Sequence, residues 1–205
     1  LESKESQTIV TDEFWGFQDD PAYFGPDDRT VLYTARRNFE KDMFLYDIET
    51  GNSTALMPTA VSENGPVWSP DGKYIYFSSD LLHPSYPRGP QDPNIYRVAL
   101  SRKDGPYRSD EFDKLFADEE KEEKKDTSET EASKPALEVD LYRIEDRVES
   151  VGPRFGSQIV GTVIQEKDKT MVLFLSNHDE GQYKLWKTTY ADFERPKTEA
   201  IKGGN

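Results

Sequence analysis

The chain has no cysteine. Disulfide frameworks, thiolate zinc sites and cysteine nucleophiles are therefore excluded for these 205 residues, while the compartment stays open. Histidine is nearly absent as well, with His83 and His178 the two in the chain. A nucleophilic hydrolase needs a Ser or Cys beside a base, and no Gly-x-Ser-x-Gly elbow occurs. Phosphate-cradling patterns are also missing: Gly152-Pro153-Arg154-Phe155-Gly156 has neither the spacing nor the strand-to-helix context that such loops require. No run approaches the roughly 18 apolar residues of a membrane span. Positive charge is scarce, with 26 basic against 40 acidic side chains and a net charge of −14. Such a field repels phosphate backbones and argues against a nucleic-acid partner.

What the chain does have is a repeat. Val67-Trp68-Ser69-Pro70-Asp71-Gly72-Lys73-Tyr74-Ile75-Tyr76-Phe77-Ser78-Ser79 writes two apolar strands around an Asp-Gly turn. Those turn residues tolerate positive φ, so a tight two-residue hairpin is expected. Forty-four positions earlier stands Tyr23-Phe24-Gly25-Pro26-Asp27-Asp28-Arg29-Thr30-Val31-Leu32-Tyr33, with Phe24 in the place of Trp68 and Asp28 in that of Gly72. The offset falls in the blade-length range of β-propellers, roughly 40–45 residues. A degraded third copy covers Gly161–Asn177.

Each hairpin is followed by a third strand, at Asp42–Asn52, Asn94–Gly105 and Gln182–Thr188. Fourth, outer strands are placed at Ser53–Met57, Val139–Asp146 and Thr198–Ile201. Four short strands per period describe a propeller blade. The expected fold is all-β: a β-propeller segment of about three four-stranded blades with part of a preceding blade and a charged, partly helical insertion. The expected division is 1–20 as the end of a preceding blade and inner-strand lead-in, 21–60 as one blade, 61–150 as a blade carrying an insertion at 106–136, and 151–205 as a third. Within the lead-in, Gln7–Val10 reads as an outer strand, so the pattern begins in mid-blade and the absence of a signal peptide says nothing about export. Trp15, Phe24, Trp68, Tyr76, Phe77, Tyr96, Phe174 and Trp186 are expected between the sheets, each able to bury roughly 150–250 Å².

Several residues invite chemistry and have plainer readings. Ser109 caps a short helix in the insertion, with Phe112, Leu115 and Phe116 on one face, and the acidic run from Asp118 to Asp126 reads as a solvated surface. The pairs Asp19-Asp20 and Asp27-Asp28 suit local backbone bonding near turns. His178-Asp179-Glu180 suggests a metal, yet consecutive residues in a loop rarely converge on one ion, and a hairpin connection is the better reading. Asn52-Ser53-Thr54 is a formal glycosylation triplet and ordinary turn chemistry at once. No catalytic, cofactor-binding or metal-ligating residue is assigned, and no cofactor is implied.

Trp68-Ser69-Pro70-Asp71-Gly72-Lys73 with Ile75-Tyr76-Phe77 resembles the WD40-like repeat shared by the Tol-system propeller protein, prolyl-oligopeptidase-type propellers and tricorn protease. The narrower resemblance is to tricorn-type serine peptidases, through Val139-Asp140-Leu141-Tyr142-Arg143-Ile144-Glu145-Asp146-Arg147-Val148 after the insertion and a third blade without Ser-Pro-Asp-Gly. In that family propellers precede a PDZ domain and a serine peptidase domain. The resemblance implies a non-catalytic segment that gates or guides peptides or unfolded polypeptide to a peptidase domain outside this chain, with the remaining blades and the PDZ and peptidase domains as partners. It also allows a homo-oligomer, and a cytoplasmic or alternatively periplasmic site. None of the family's catalytic residues has a matching position here. The other reading is a TolB-like propeller scaffold that binds a protein partner, with loop 81–93 and the acidic insertion as contact surfaces.

Overall fold

Ser69 organises the hairpin around the Asp-Gly pair. In the computed structural model, which describes residues 6, 8–11, 20–84, 91–102, 137–191 and 193–202, the Ser69 N–H donates to the Tyr74 carbonyl at 2.8 Å. The Tyr74 N–H donates back to Ser69 Oγ at 2.9 Å, and Asp71 Oδ1 accepts from Ser69 Oγ at 2.6 Å and from the Lys73 N–H at 3.1 Å. Four residues therefore lie between the closing pair, not the two expected, because the Ser and Asp side chains supply bonds that a tighter backbone turn would make itself. The first copy repeats the device: Gly25 closes on Thr30 at 2.6 Å, and Asp27 Oδ1 accepts from the N–H groups of Arg29 and Thr30. Gly72 and Asp28 both sit at positive φ, +72° and +55°.

The strands form three antiparallel sheets in which each strand pairs with its sequence neighbour. The first holds β1 (Tyr23–Phe24), β2 (Thr30–Arg37), β3 (Glu40–Asp47) and β4 (Asn52–Ala55). The second holds β5 (Asn64–Trp68), β6 (Tyr74–Ser79), β7 (Asn94–Ala99) and β8 (Val148–Ser150). The third holds β9 (Gln158–Glu166), β10 (Lys169–Ser176), β11 (Lys184–Ala191) and β12 (Lys197–Ala200). This is the all-β blade architecture that the repeat implies.

Alternation along each strand sends side chains to two neighbours. From the first sheet, Leu32, Met43 and Leu45 pack on Ile75, Phe77, Tyr96 and Val98 of the second. The opposite face of the second sheet, with Tyr76 and Ile95, packs on Val160, Val163, Val172 and Phe174 of the third. Each fully buried aliphatic or phenyl side chain contributes roughly 1.5–3 kcal/mol, so these two interfaces, more than any sheet alone, hold the array together. At the edge of the second interface the Arg97 guanidinium lies between the rings of Tyr74 (4.5 Å) and Tyr190 (3.9 Å) and is bonded to Glu149 at 2.7 Å.

Three further expectations change. The outer strand of the second sheet is Val148–Ser150, not Val139–Asp146. Arg143 takes a left-handed conformation and Ile144–Arg147 forms a 3-10 helix, which breaks the extended run. The cause is Arg147, a buried guanidinium that donates to the carbonyls of Ala99 (3.0 Å), Tyr142 (3.4 Å) and Asp140, while Ile144 plugs the core beside it. Phe24, expected between sheets, is 66% exposed. Its counterpart Trp68 faces the preceding sheet, donating its indole N–H to the Tyr23 carbonyl at 3.3 Å, and the described residues provide no sheet before β1. Residues 8–10, within the expected outer strand, lie in no sheet because no described strand stands beside them, although Val10 packs on the Val31, Tyr33 and Phe44 face. The insertion at 106–136 and Trp15 lie outside the described residues.

Candidate functional site

The inner strands of the second and third sheets begin beside each other, and the lead-in to the first joins them. A groove of about 320 Å³ opens there, lined by Asp20, Asn64, Gly65, Ser78, Pro93, Gln158, Ile159 and Val160. One wall is built on Asp20. Its Oδ2 accepts from Thr34 Oγ1 (3.1 Å), Lys41 Nζ (3.3 Å) and the Gly65 N–H (3.2 Å), which ties the lead-in to β2, β3 and β5. Lys41 is buried, so its ammonium has lost water, and the Asp20 carboxylate offsets part of that desolvation cost. Gly65 stands at φ +57°, a conformation that a side chain would resist.

The other wall is built on Gln158, which is fully buried. Its Oε1 accepts from the Ile95 N–H at 3.1 Å, and its Nε2 donates to the Pro153 carbonyl at 2.5 Å. The Gln158 N–H donates to the Pro93 carbonyl at 2.7 Å, and the Val160 N–H donates to Ser78 Oγ at 3.2 Å. With these polar groups internally satisfied, what the groove offers is half-exposed Ile159, Val160 and Pro93 beside the polar Asn64 and Asp20. That surface suits an extended segment with apolar side chains. It holds no nucleophile beside a base, and among the described residues no three His, Asp or Glu side chains gather as a metal cluster would require.

The structure brings His178 to Ser176, with Nδ1 and Oγ 2.7 Å apart. Ser176 Oγ also lies 3.3 Å from the His178 N–H, which can only donate to it. The oxygen keeps a second lone pair and its own hydrogen, so it pairs with Nδ1 in either tautomer of the ring. Burial lowers the His178 pKa and favours the neutral ring, with Asp179 opposing. Ser176 is fully buried and the imidazole packs against Trp186 (centroids 4.1 Å) and Phe155 (5.7 Å), so the pair ends β10 and locks the following loop. In that loop Asp179 and Glu180 bind Lys184, at 3.0 and 2.9 Å. His83 is exposed, in a turn whose N–H bonds to the Asp80 carbonyl.

Of the paired acids, Asp27 works locally. Burial pushes its pKa up, but the donors of Thr30 and Arg29 outweigh that and hold it below the usual range. Asp20 does not stay local, and it is the residue that sequence reasoning missed. Its partners come from positions 34, 41 and 65, so no window around it carries the signal.

No protein-family model matches the chain. The uncharacterized protein Atu1656 of Agrobacterium fabrum is 36% identical over 62 residues, 29% of this chain and 21% of that protein. The crystal structure of the tricorn protease matches with a TM-score of 0.58 at 17% identity, covering 98% of this chain and 20% of that one. TolB from Acinetobacter baumannii matches with a TM-score of 0.48 at 14% identity, over 88% of this chain and 32% of that one. The chain thus spans about a fifth of the length of the first two. At such identities the solved structures speak for the fold alone. The chain is a β-propeller-type array of four-stranded sheets.

Proposed function

We propose that this chain is a non-catalytic propeller segment of a tricorn-like serine peptidase, in which the groove at the start of the inner strands guides extended peptides toward a peptidase domain on other polypeptide. The expected blades at 21–60, 61–150 and 151–205 would then be consecutive members of a larger ring. The observation that carries this reading is the order of parts, two sheets closed by the Asp-bearing turn and a third without it, together with the tricorn structure's match over 98% of the chain. The groove supports it, since an apolar floor with internally bonded walls takes an extended backbone without rearrangement. The test is deletion of this segment from its parent. A shift in the length distribution of cleaved peptides with the active-site chemistry intact supports the reading; a parent with no peptidase activity overturns it.

A second reading, a TolB-like scaffold for a protein partner, is favoured by the far face of the third sheet. Ile159, Leu175 and Ile164 stand there at 50%, 43% and 42% exposure, with Ile159, Leu175 and Leu185 in one cross-strand row. Exposed apolar surface of this kind marks an interface. Recovery from the parent's host of a stoichiometric partner that is not cleaved, and its loss on Leu175→Asp, supports this reading over the first.

A further inference from the structure

Thr59 stands against a buried acid. Its Oγ1 lies 2.8 Å from the Val61 carbonyl, 3.4 Å from the Val61 N–H, and within hydrogen-bond distance of Glu63 Oε1. A hydroxyl has one hydrogen and two lone pairs. That hydrogen can go to the Val61 carbonyl or to Glu63 Oε1, so Thr59 serves either state of the acid, and the second carboxyl oxygen is what distinguishes them. Glu63 Oε2 has no hydrogen-bond partner and the residue is fully buried, so an ionised carboxylate would be left with an oxygen that nothing solvates.

Glu63 sits in the segment that joins the first sheet to the second. The Glu63 N–H donates to the Lys41 carbonyl at 2.8 Å, the Lys41 N–H to Ser62 Oγ at 3.1 Å, and Ser62 Oγ to Glu40 Oε2 at 2.7 Å. The next residues, Asn64 and Gly65, form a wall of the groove. The charged groups on the strand it packs against are Asp42 and Glu40, which repel a negative charge there, and Lys41, whose ammonium is turned to Asp20. On the other side, the Asn64 and Ser78 register places Ser79 opposite Glu63, with buried Asp80 next along.

We propose that Glu63 is a proton-operated latch: as a neutral acid its carboxyl stays buried beside Thr59 and locks residues 59–65 onto β3, and loss of that proton frees the segment together with the Asn64 and Gly65 wall of the groove. Burial, with Asp42 and Glu40 adding to it and Thr59 and the Met43 amide opposing, raises the Glu63 pKa to about 9. The latch stands whatever passes through the groove. In the released segment the carboxyl reverts to an ordinary acid, so docking is tightest at acidic pH and weakens by up to about tenfold per pH unit from the ordinary value to about 9.

Hydrogen exchange on the whole chain tests this, read at the amides of Lys41, Glu63 and Gly65 between about pH 6 and about pH 8.5. After correction for intrinsic exchange, the opening constant is expected to rise steeply with pH in the wild type and to be flat in Glu63→Gln, which keeps the carbonyl oxygen and has no proton to lose. Equal pH dependence in the two proteins overturns the latch. An infrared measurement on the wild type needs no variant: a protonated-carboxyl stretch at about pH 7.5 that vanishes by about pH 10.5 supports the assignment, and its absence at about pH 7.5 overturns it.

Discussion

Phe24 and Trp68, 44 residues apart, hold the same place in successive sheets: Phe24 stands opposite Val31 on β2, and Trp68 stands opposite Ile75 on β6, again 44 residues on. The equivalence extends to their surroundings, since each faces the sheet that comes before its own. For Trp68 that sheet exists. For Phe24 the described residues contain none, and the ring meets solvent.

Phe24 and Phe174, one exposed and one fully buried, give a direct comparison of apolar burial. Phe174→Ala, at the centre of the second interface and fully buried, is expected to destabilise the chain by about 3–5 kcal/mol, and Phe24→Ala by under about 1 kcal/mol. Urea unfolding of both variants measures the contrast. In a parent that supplies a sheet in front of β1, the Phe24 value is expected to rise toward that of a buried ring.

Asp20→Ala removes a carboxylate 3.3 Å from the buried Lys41 ammonium together with the bonds to Thr34 and Gly65, and a loss of about 1–3 kcal/mol is expected. Asp20→Ala with Lys41→Met is expected to recover part of it, because the double variant buries one charge fewer. A double-mutant cycle by urea denaturation gives the coupling; additive single effects would show that the pair does not act as a unit.

Gly72 is needed for its backbone. At φ +72° a Cβ is disfavoured, and it would also lie 2.6 Å from Pro26 Cγ and 3.2 Å from Leu137 Cδ1. Gly72→Ala is expected to destabilise by about 1–3 kcal/mol. Asp28→Gly, at the equivalent position of the first sheet, is expected to change stability by no more than about 1 kcal/mol, since it relieves the same conformation while adding chain entropy.

His178 gives a pH dependence of known sign. Its folded pKa lies below the ordinary 6.5, so the unfolded chain binds the proton more readily. The stability it contributes is present above about 6.5 and is lost as pH falls through that value toward the lower folded pKa. Because the imidazole rests 4.1 Å from the Trp186 ring, protonation is expected to quench Trp186 emission with a midpoint below 6.5. His178→Gln is expected to abolish that titration; an unchanged curve in the variant would sink the assignment.

The repeat was legible because its parts are local. A Ser or Gly, a Pro and an Asp in fixed order close a turn through bonds within six residues, and alternating apolar residues on either side specify two faces. The outer strand of the second sheet was misplaced at Val139–Asp146 because the residue that breaks that run, Arg147, lies beyond it and acts through carbonyls as distant as Ala99. The turn length was underestimated because side-chain bonds from Ser69 and Asp71 are not visible in an Asp-Gly pair.

Local chemistry in the chain therefore determined the strands, their order and which faces must be covered, since these follow from side-chain alternation and turn conformations over a few residues. Packing alone decided which carboxyls matter. Asp20 and Glu63 look like any other acids among the 40, and they acquire their roles only when segments from different sheets strip them of water and supply, or withhold, the donors that a charge requires.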